Sequence, residues 1–185
     1  MRKFINIVEA AQRGYFHGTS GEGNPQFVIG HTGNNSSTFG GNYNSTRYGV
    51  FFTNNPAFAK HYGKVSEYSL NISNTLNLDT YTTFIRTLSN FIGHIEDQLE
   101  IAKEKEDKER AEMLFNIRQE CRHMDSGARS IWQMFEDDFG KEFVHFLLSQ
   151  GYDSVVFTED HENDEGEYDE SRTTVVLNPS VIKRI

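Results

Sequence analysis

Between about residues 81 and 150 the chain holds no proline and few glycines, and its apolar residues fall at helical spacing. Phe84, Leu88, Phe91, Ile92, Ile95 and Leu99 recur every three or four positions, which is the stripe one face of a helix needs to bury. Before and after this block the pattern is that of strands, broken by Gly, Asn, Ser and Thr. A chain built this way has helices and strands segregated along its length, so the fold class is α+β with a helical block inserted between two β-rich ends. Inside the block, "KEKEDKER" (103–110) is eight charged residues of mixed sign. Interspersed signs favour pairing along a helix with water around it, so the run reads as a solvated helix face or a helix–helix turn. The alternative is a protruding arm that binds a partner.

The β-rich ends read as follows. Residues 2–12 predict a short helix through Phe4, Ile5, Val8 and Ala11. "GYFHGTS" (14–20) predicts a strand that breaks at Gly18, and 21–47 a long loop rich in small polar residues. "YGVFFT" (48–53) returns to strand, and "NPAFAKHYG" (55–63) is a brief helix with proline in its first turn and glycine as its stop. Residues 64–78 alternate polar and apolar and read as one strand; "GYDSVVF" (151–157) and "RTTVVLNPSVIKRI" (172–185) are two more. Between the last two lies "TEDHENDEGEYDES" (158–171), dense in carboxylates, whose plain reading is a solvated loop.

Length and charge narrow the function. With 185 residues the chain suits one domain with a real core. A formal net charge of −9 makes nucleic acid an unlikely default partner. A single cysteine, Cys121, excludes an intrachain disulfide and a cysteine-cluster zinc site. The seven histidines show no metal-ligand spacing. The first residues lack the apolar core of a signal peptide, and no window approaches the length of a membrane span. The expectation is a soluble cytoplasmic protein with no metal. No P-loop and no glycine-rich dinucleotide turn is present.

Two motifs carry chemistry. In "HGTS", His17 ends a strand beside Gly18 and Thr19, a combination that lets backbone approach a ligand while an imidazole hydrogen-bonds to it. In "RYGVFFTNNPAFAKHYG" (47–63), Phe51 on a strand and Tyr62 eleven residues later are spaced to bracket a flat ring. Read singly, a lone histidine and a pair of core aromatics are the plainer explanations. Read together, His-Gly-Thr followed by Gly-Val-Phe-Phe-Thr and a helix ending in tyrosine resembles the ADP-ribosyltransferase superfamily of the histidine–tyrosine–glutamate type. "VSEYSLNISNTLNLDT", "GYDSVVF" and "VVLNPSVIK" are similar to segments of transferase domains in phage polyvalent proteins and of a small anti-CRISPR transferase. The likeness spans roughly residues 14–80 and 140–183.

The resemblance implies a split, mostly antiparallel β core and an NAD-dependent mono-ADP-ribosyltransferase that releases nicotinamide. It implies His17 and Gly18 as the pair that holds the adenosine ribose and the nicotinamide amide, Phe51 and Tyr62 as the stacking pair, and Thr19, Tyr48 and Phe52 as further pocket residues. It also implies a phage or mobile-element effector that modifies a host protein in the host cytosol, with the helical block selecting the target. One motif departs from the family. The catalytic glutamate would open the strand "TTVVL", where this chain has Thr173. An oxocarbenium-like sugar needs a carboxylate near the ribose hydroxyls, and Glu159 is the first candidate, followed by Asp160 and Glu170. Glu165 and Glu167 form a Glu-x-Glu pattern that so acidic a run makes nearly unavoidable. The alternatives are a non-catalytic module of the same fold that binds NAD or a partner, and a protein-interaction domain acting through the helical block.

Overall fold

A computed structural model of the chain describes residues 14–19, 27, 29–37, 41–162 and 168–185; side chains at 31–45 and 160–169 are outside that description, as is the helix expected over 2–12. The described chain is mixed α+β: a seven-stranded sheet, a two-stranded sheet and five helices. The strands are β1 (Tyr15–Thr19), β2 (His31–Ser37), β3 (Gly41–Arg47), β4 (Val50–Thr53), β5 (Lys64–Leu70), β6 (Thr75–Asn77), β7 (Ser154–Glu162), β8 (Tyr168–Val176) and β9 (Ile182–Arg184). The large sheet runs β6-β7-β8-β4-β1-β5-β9. All its pairings are antiparallel except β6 with β7.

The helical block is α2 (Tyr81–Glu104), α3 (Lys108–Cys121), α4 (Ala128–Gln133) and α5 (Asp137–Ser149), while α1 (Pro56–Lys60) follows β4. The charged run is the turn between α2 and α3: Asp107 caps α3 by accepting from the Arg110 N–H at 3.0 Å. Arg118 then reaches Glu96 at 2.8 Å across the resulting helical hairpin. The apolar stripe of α2 (Phe84, Leu88, Phe91, Ile95, Leu99) packs with Leu114, Phe143 and Leu147 against Val155, Phe157 and Val175 of the sheet. The opposite face of the sheet carries a smaller core of Val50, Phe52, Tyr68 and Val176.

Several boundaries differ from the sequence reading. The expected loop 21–47 contains the β2–β3 hairpin, paired from His31–Arg47 to Ser37–Gly41; strands made of Gly, Asn, Ser and Thr carry no apolar alternation to reveal them. β1 passes through Gly18 and ends at Thr19. The segment 64–78 is two strands, because 71–74 turns to meet the 3₁₀ segment Pro179–Val181 and Asp153: the Asn71 N–H donates to the Val181 carbonyl at 2.9 Å, and Asp153 accepts from the Ser73 N–H at 2.6 Å. β4 begins at Val50, and the last expected strand ends at Val176 and resumes as β9. The described parts of the acidic run, on either side of 163–167, are paired strand: β7 and β8 stay in register from Ser154–Val176 to Glu162–Tyr168.

Candidate functional site

Strand parity decides which side chains meet. In β4, Val50 and Phe52 face the smaller core, so Phe51 and Thr53 face the helical block. The register carries that face across the sheet: Thr53 lies opposite Thr173 and Phe51 opposite Val175, and on β7 Phe157 lies opposite Thr173 and Glu159 opposite Ser171. Phe51, Thr53, Ser171, Thr173 and Glu159 therefore share one face. Its apolar floor of Val155, Phe157 and Val175 gives way to a polar strip within one register step.

Glu159 is the centre of that strip. It lies inside β7, not in the loop after it, and is only 7% exposed. Thr173 donates its hydroxyl to Oε1, and the indole N–H of Trp132, from α4, donates to Oε2 at 2.5 Å. Burial raises the Glu159 pKa above the ordinary carboxylate range, against the pull of these two donors and of the Arg47 guanidinium. Beside it, the hydroxyls of Thr53 and Ser171 are bonded to each other.

Trp132 also stacks on Phe51, ring centroids 4.0 Å apart and planes 4° from parallel; Phe135 meets Phe51 edge-on at 5.7 Å. The Arg47 guanidinium carbon is 4.8 Å from the Trp132 centroid and 5.6 Å from that of Phe51. A cation above the outer face of one stacked ring would be too far from the other, so Arg47 sits beside the pair, in contact with both π systems. Its Nε is 3.5 Å from Glu136 Oε1. Burial lowers the Arg47 pKa, opposed by Glu136, the Tyr62 phenol and Glu159.

Gly18 and Tyr62 belong to this side as well. α1 starts cleanly because Asn55 caps it, accepting from the Ala57 and Phe58 N–H groups, with Pro56 in the first turn. The helix lies so close to β1 that a Cβ on Gly18 would sit 2.0 Å from the Ala59 carbonyl oxygen and 2.9 Å from the Tyr62 Cβ. Close helix–strand approach therefore explains the glycine. Tyr62 packs edge-on against Phe58 at 5.7 Å.

His17 alternates with Gly18, so its ring is on the other face, against Phe27 at 5.2 Å, Phe52 at 5.5 Å and Tyr68 at 6.5 Å. Its Nδ1 donates to the Phe51 carbonyl at 2.7 Å; because a carbonyl only accepts, this fixes the tautomer and leaves Nε2 as an acceptor when the ring is neutral. Burial lowers the His17 pKa, with the Phe51 bond opposing it, so the neutral ring is favoured. Phe52 is core, 1% exposed. Thr19 pairs with Lys64 at the end of β1. Tyr48 points at the start of α5: its N–H donates to the Phe135 carbonyl at 2.8 Å, and burial together with Asp138 and Asp137 raises its phenol pKa.

Of the acid candidates, Glu159 joins the polar strip, and the Asp160 side chain lies outside the described residues. The Asp160 backbone is in register with Glu170, and Glu170 is exposed, lining a small separate cleft with Asp79 and Thr158. Glu165 and Glu167 lie outside the described residues. Three participants were not foreseen from the sequence. Arg47 opens the aromatic stretch, Thr173 marks in the sequence only the place of a missing acid, and Trp132 is the chain's one tryptophan; nothing in their spacing links them. A larger cleft, about 960 Å³, lies in the helical block, lined by Asp107, Glu120, Asp137, Asp138 and, on the side shared with Arg47, Glu136. Among the described residues no group of three His, Cys, Asp or Glu is arranged to hold a metal ion, and no helix is long and apolar enough to cross a membrane. Comparison with protein-family models, with curated proteins and with solved structures gives no match to this chain.

Proposed function

We propose that this chain is an NAD-dependent mono-ADP-ribosyltransferase of the ADP-ribosyltransferase-like fold, acting as a phage or mobile-element effector on a host protein in the host cytosol. One observation carries the reading. Where the resembling enzymes would have their glutamate, this chain has Thr173, and the carboxylate of Glu159 reaches across from the neighbouring strand to hydrogen-bond with that same threonine. The acid missing from β8 is supplied by β7. Phe51, Tyr62 and Gly18 lie on that face of the sheet; because one side of the Phe51 ring is taken by Trp132, a nicotinamide ring on this face would have to meet Phe51 from its other side or displace the indole.

NAD is the substrate. As the bond between nicotinamide nitrogen and ribose C1′ lengthens, positive charge develops on the sugar, and an ionised Glu159 beside the ribose stabilises it. The nucleophile of the acceptor then takes C1′ and nicotinamide leaves. Thr173, Trp132 and Arg47 favour the ionised carboxylate and partly offset the burial that raises its pKa. A single carboxylate supports transfer of one unit, and the lack of an acid at 173 argues against elongation. His17 is on the other face of the sheet, packed against Phe27, Phe52 and Tyr68, so in this reading it acts through the strand, its Nδ1–H holding the Phe51 carbonyl, and does not touch the NAD on the Glu159 side.

A second reading has its own observation: both Glu159 oxygens are already engaged by protein donors, which also suits a non-catalytic module that binds NAD or a partner. Nicotinamide release from NAD separates the two. It is measured with and without cell lysate for wild type, Glu159→Gln and His17→Ala. Release that needs lysate and is lost in Glu159→Gln supports the transferase. Release without lysate points to a hydrolase. No release under any condition refutes both enzymatic readings.

A further inference from the structure

We propose that Trp132 is a positioning residue for Glu159, so that the inserted helical block supplies part of the reaction site instead of serving only to choose a target. This rests on the transferase reading above. The indole is tied at two points. Its ring lies parallel to Phe51 at 4.0 Å, and its Nε1–H donates to Glu159 Oε2 at 2.5 Å. The other carboxylate oxygen is held by Thr173. A carboxylate held at both oxygens, one bond from the sheet and one from the block, has a fixed plane and a fixed position relative to the ring of Phe51. In a charge-stabilising role that fixity matters, because dipoles and charges aimed in advance need no reorganisation as the transition state forms.

The surroundings leave the indole as the main adjustable term. Facing Glu159 are Thr173 from β8, Trp132 from α4 and Arg47 from the end of β3. Arg47 is shared with Glu136, from the turn before α5, and feels the Tyr62 phenol. Its charge is therefore divided, whereas the indole N–H has Glu159 as its acceptor. α4 is six residues long, and its N-cap Gly127 makes no side-chain capping bond. Ile131 anchors this short helix in the core, and the indole beside it meets Phe51 by stacking, Phe157 edge-on at 6.3 Å and Glu159 by its N–H. A loss of the indole N–H alone is then expected to leave the ring stack intact and make the carboxylate easier to protonate.

Two measurements test this. The first needs no variant but Glu159→Gln: Trp132 is the only tryptophan, so the intrinsic fluorescence of the full chain reports on it alone. Its emission is expected to step as Glu159 titrates, and the step to vanish in Glu159→Gln. The second is the pH profile of nicotinamide release for Trp132→Phe, which keeps the stack and removes the donor. The rising limb is expected to move to higher pH, with kcat reduced roughly ten-fold or more on that limb, the loss of a hydrogen bond to a charged group, and KM for NAD unchanged. The gap between the two profiles narrows at high pH, where a smaller deficit in kcat remains because the ionised carboxylate is no longer held at Oε2. A Trp132→Phe profile that differs from wild type only in amplitude overturns the inference, since a structural role would scale the rate without moving the limb. A fluorescence step that survives in Glu159→Gln overturns it as well. If wild type releases no nicotinamide, the transferase reading itself has failed, while the fluorescence arm still reports whether the bond to Glu159 exists.

Discussion

Replacing Gly18 with alanine tests whether packing or a ligand dictates that position. The new Cβ would start 2.0 Å from the Ala59 carbonyl oxygen, where ordinary contact begins near 3.4 Å. The obstacle is backbone, not the free end of a side chain, so α1 must retreat from β1 by about 1.4 Å, the difference between those distances, or the strand must bend. Overpacking of this kind costs about 1–3 kcal/mol, and a backbone neighbour puts the cost at the upper end. For a chain of this length that lowers Tm by roughly 6–12 °C. The control is Gly93→Ala in α2, where a Cβ meets nothing within 4 Å. There alanine removes the entropy penalty of a helical glycine and adds about 0.5–1 kcal/mol of stability. Thermal denaturation of the two single variants beside wild type is the assay. On the proposed transferase reading, because α1 leads into Tyr62, Gly18→Ala would also weaken NAD binding beyond what its stability loss explains. An unchanged Tm in Gly18→Ala would refute the packing account.

Other consequences follow from single contacts. Arg110 holds Glu142 with two bonds, 2.7 and 2.8 Å, and Glu142 is 3% exposed; Arg110→Met leaves that carboxylate uncompensated and is expected to cost about 3–5 kcal/mol in denaturant unfolding, with Arg110→Met/Glu142→Leu recovering most of it. The His17 pKa is lowered in the fold by burial, so its contribution is fully present above the ordinary histidine value and is lost as pH falls below it, because the unfolded chain takes up the proton first. Wild type should therefore lose more stability between pH 7.5 and 5.5 than His17→Gln does, measured by urea midpoints. Burial pushes the Cys121 thiol up to about 12, so a thiol reagent at pH 8 should leave it unmodified in the folded chain and label it in urea.

Periodicity made the helical block legible: of the stripe Phe84, Leu88, Phe91, Ile92, Ile95 and Leu99, all but the half-buried Ile92 are buried. The same test failed on β2 and β3, where Gly, Asn, Ser and Thr offer no alternation, and on the acidic run, where charge density hid a strand pairing set by register. Glu159 could be named from its place after "GYDSVVF". Its burial could not, because that depends on Thr173 fourteen residues on and Trp132 twenty-seven residues before. Parity explains the division of His17 from Gly18 and of Phe52 from Phe51: adjacent residues of a strand cannot share a face, so a motif read as one patch becomes two sides of one sheet.

That division leaves Glu159 as the feature that packing least explains. The rest of its face is lined by Val155, Phe157 and Val175 and covered by helices, and the hydroxyls of Thr53, Ser171 and Thr173 beside it could pair among themselves without a carboxylate. Burying a carboxylate instead requires a threonine from β8, an indole from α4 and an arginine from β3 to offset its desolvation, and apolar replacement of such a group is commonly neutral or stabilising. The helical block closes over the carboxylate and also provides one of its donors. Removing water strengthens every charge interaction at that point, which does nothing useful for a sheet that only needs to fold. On the proposed transferase reading, a sugar developing positive charge is what would draw on it.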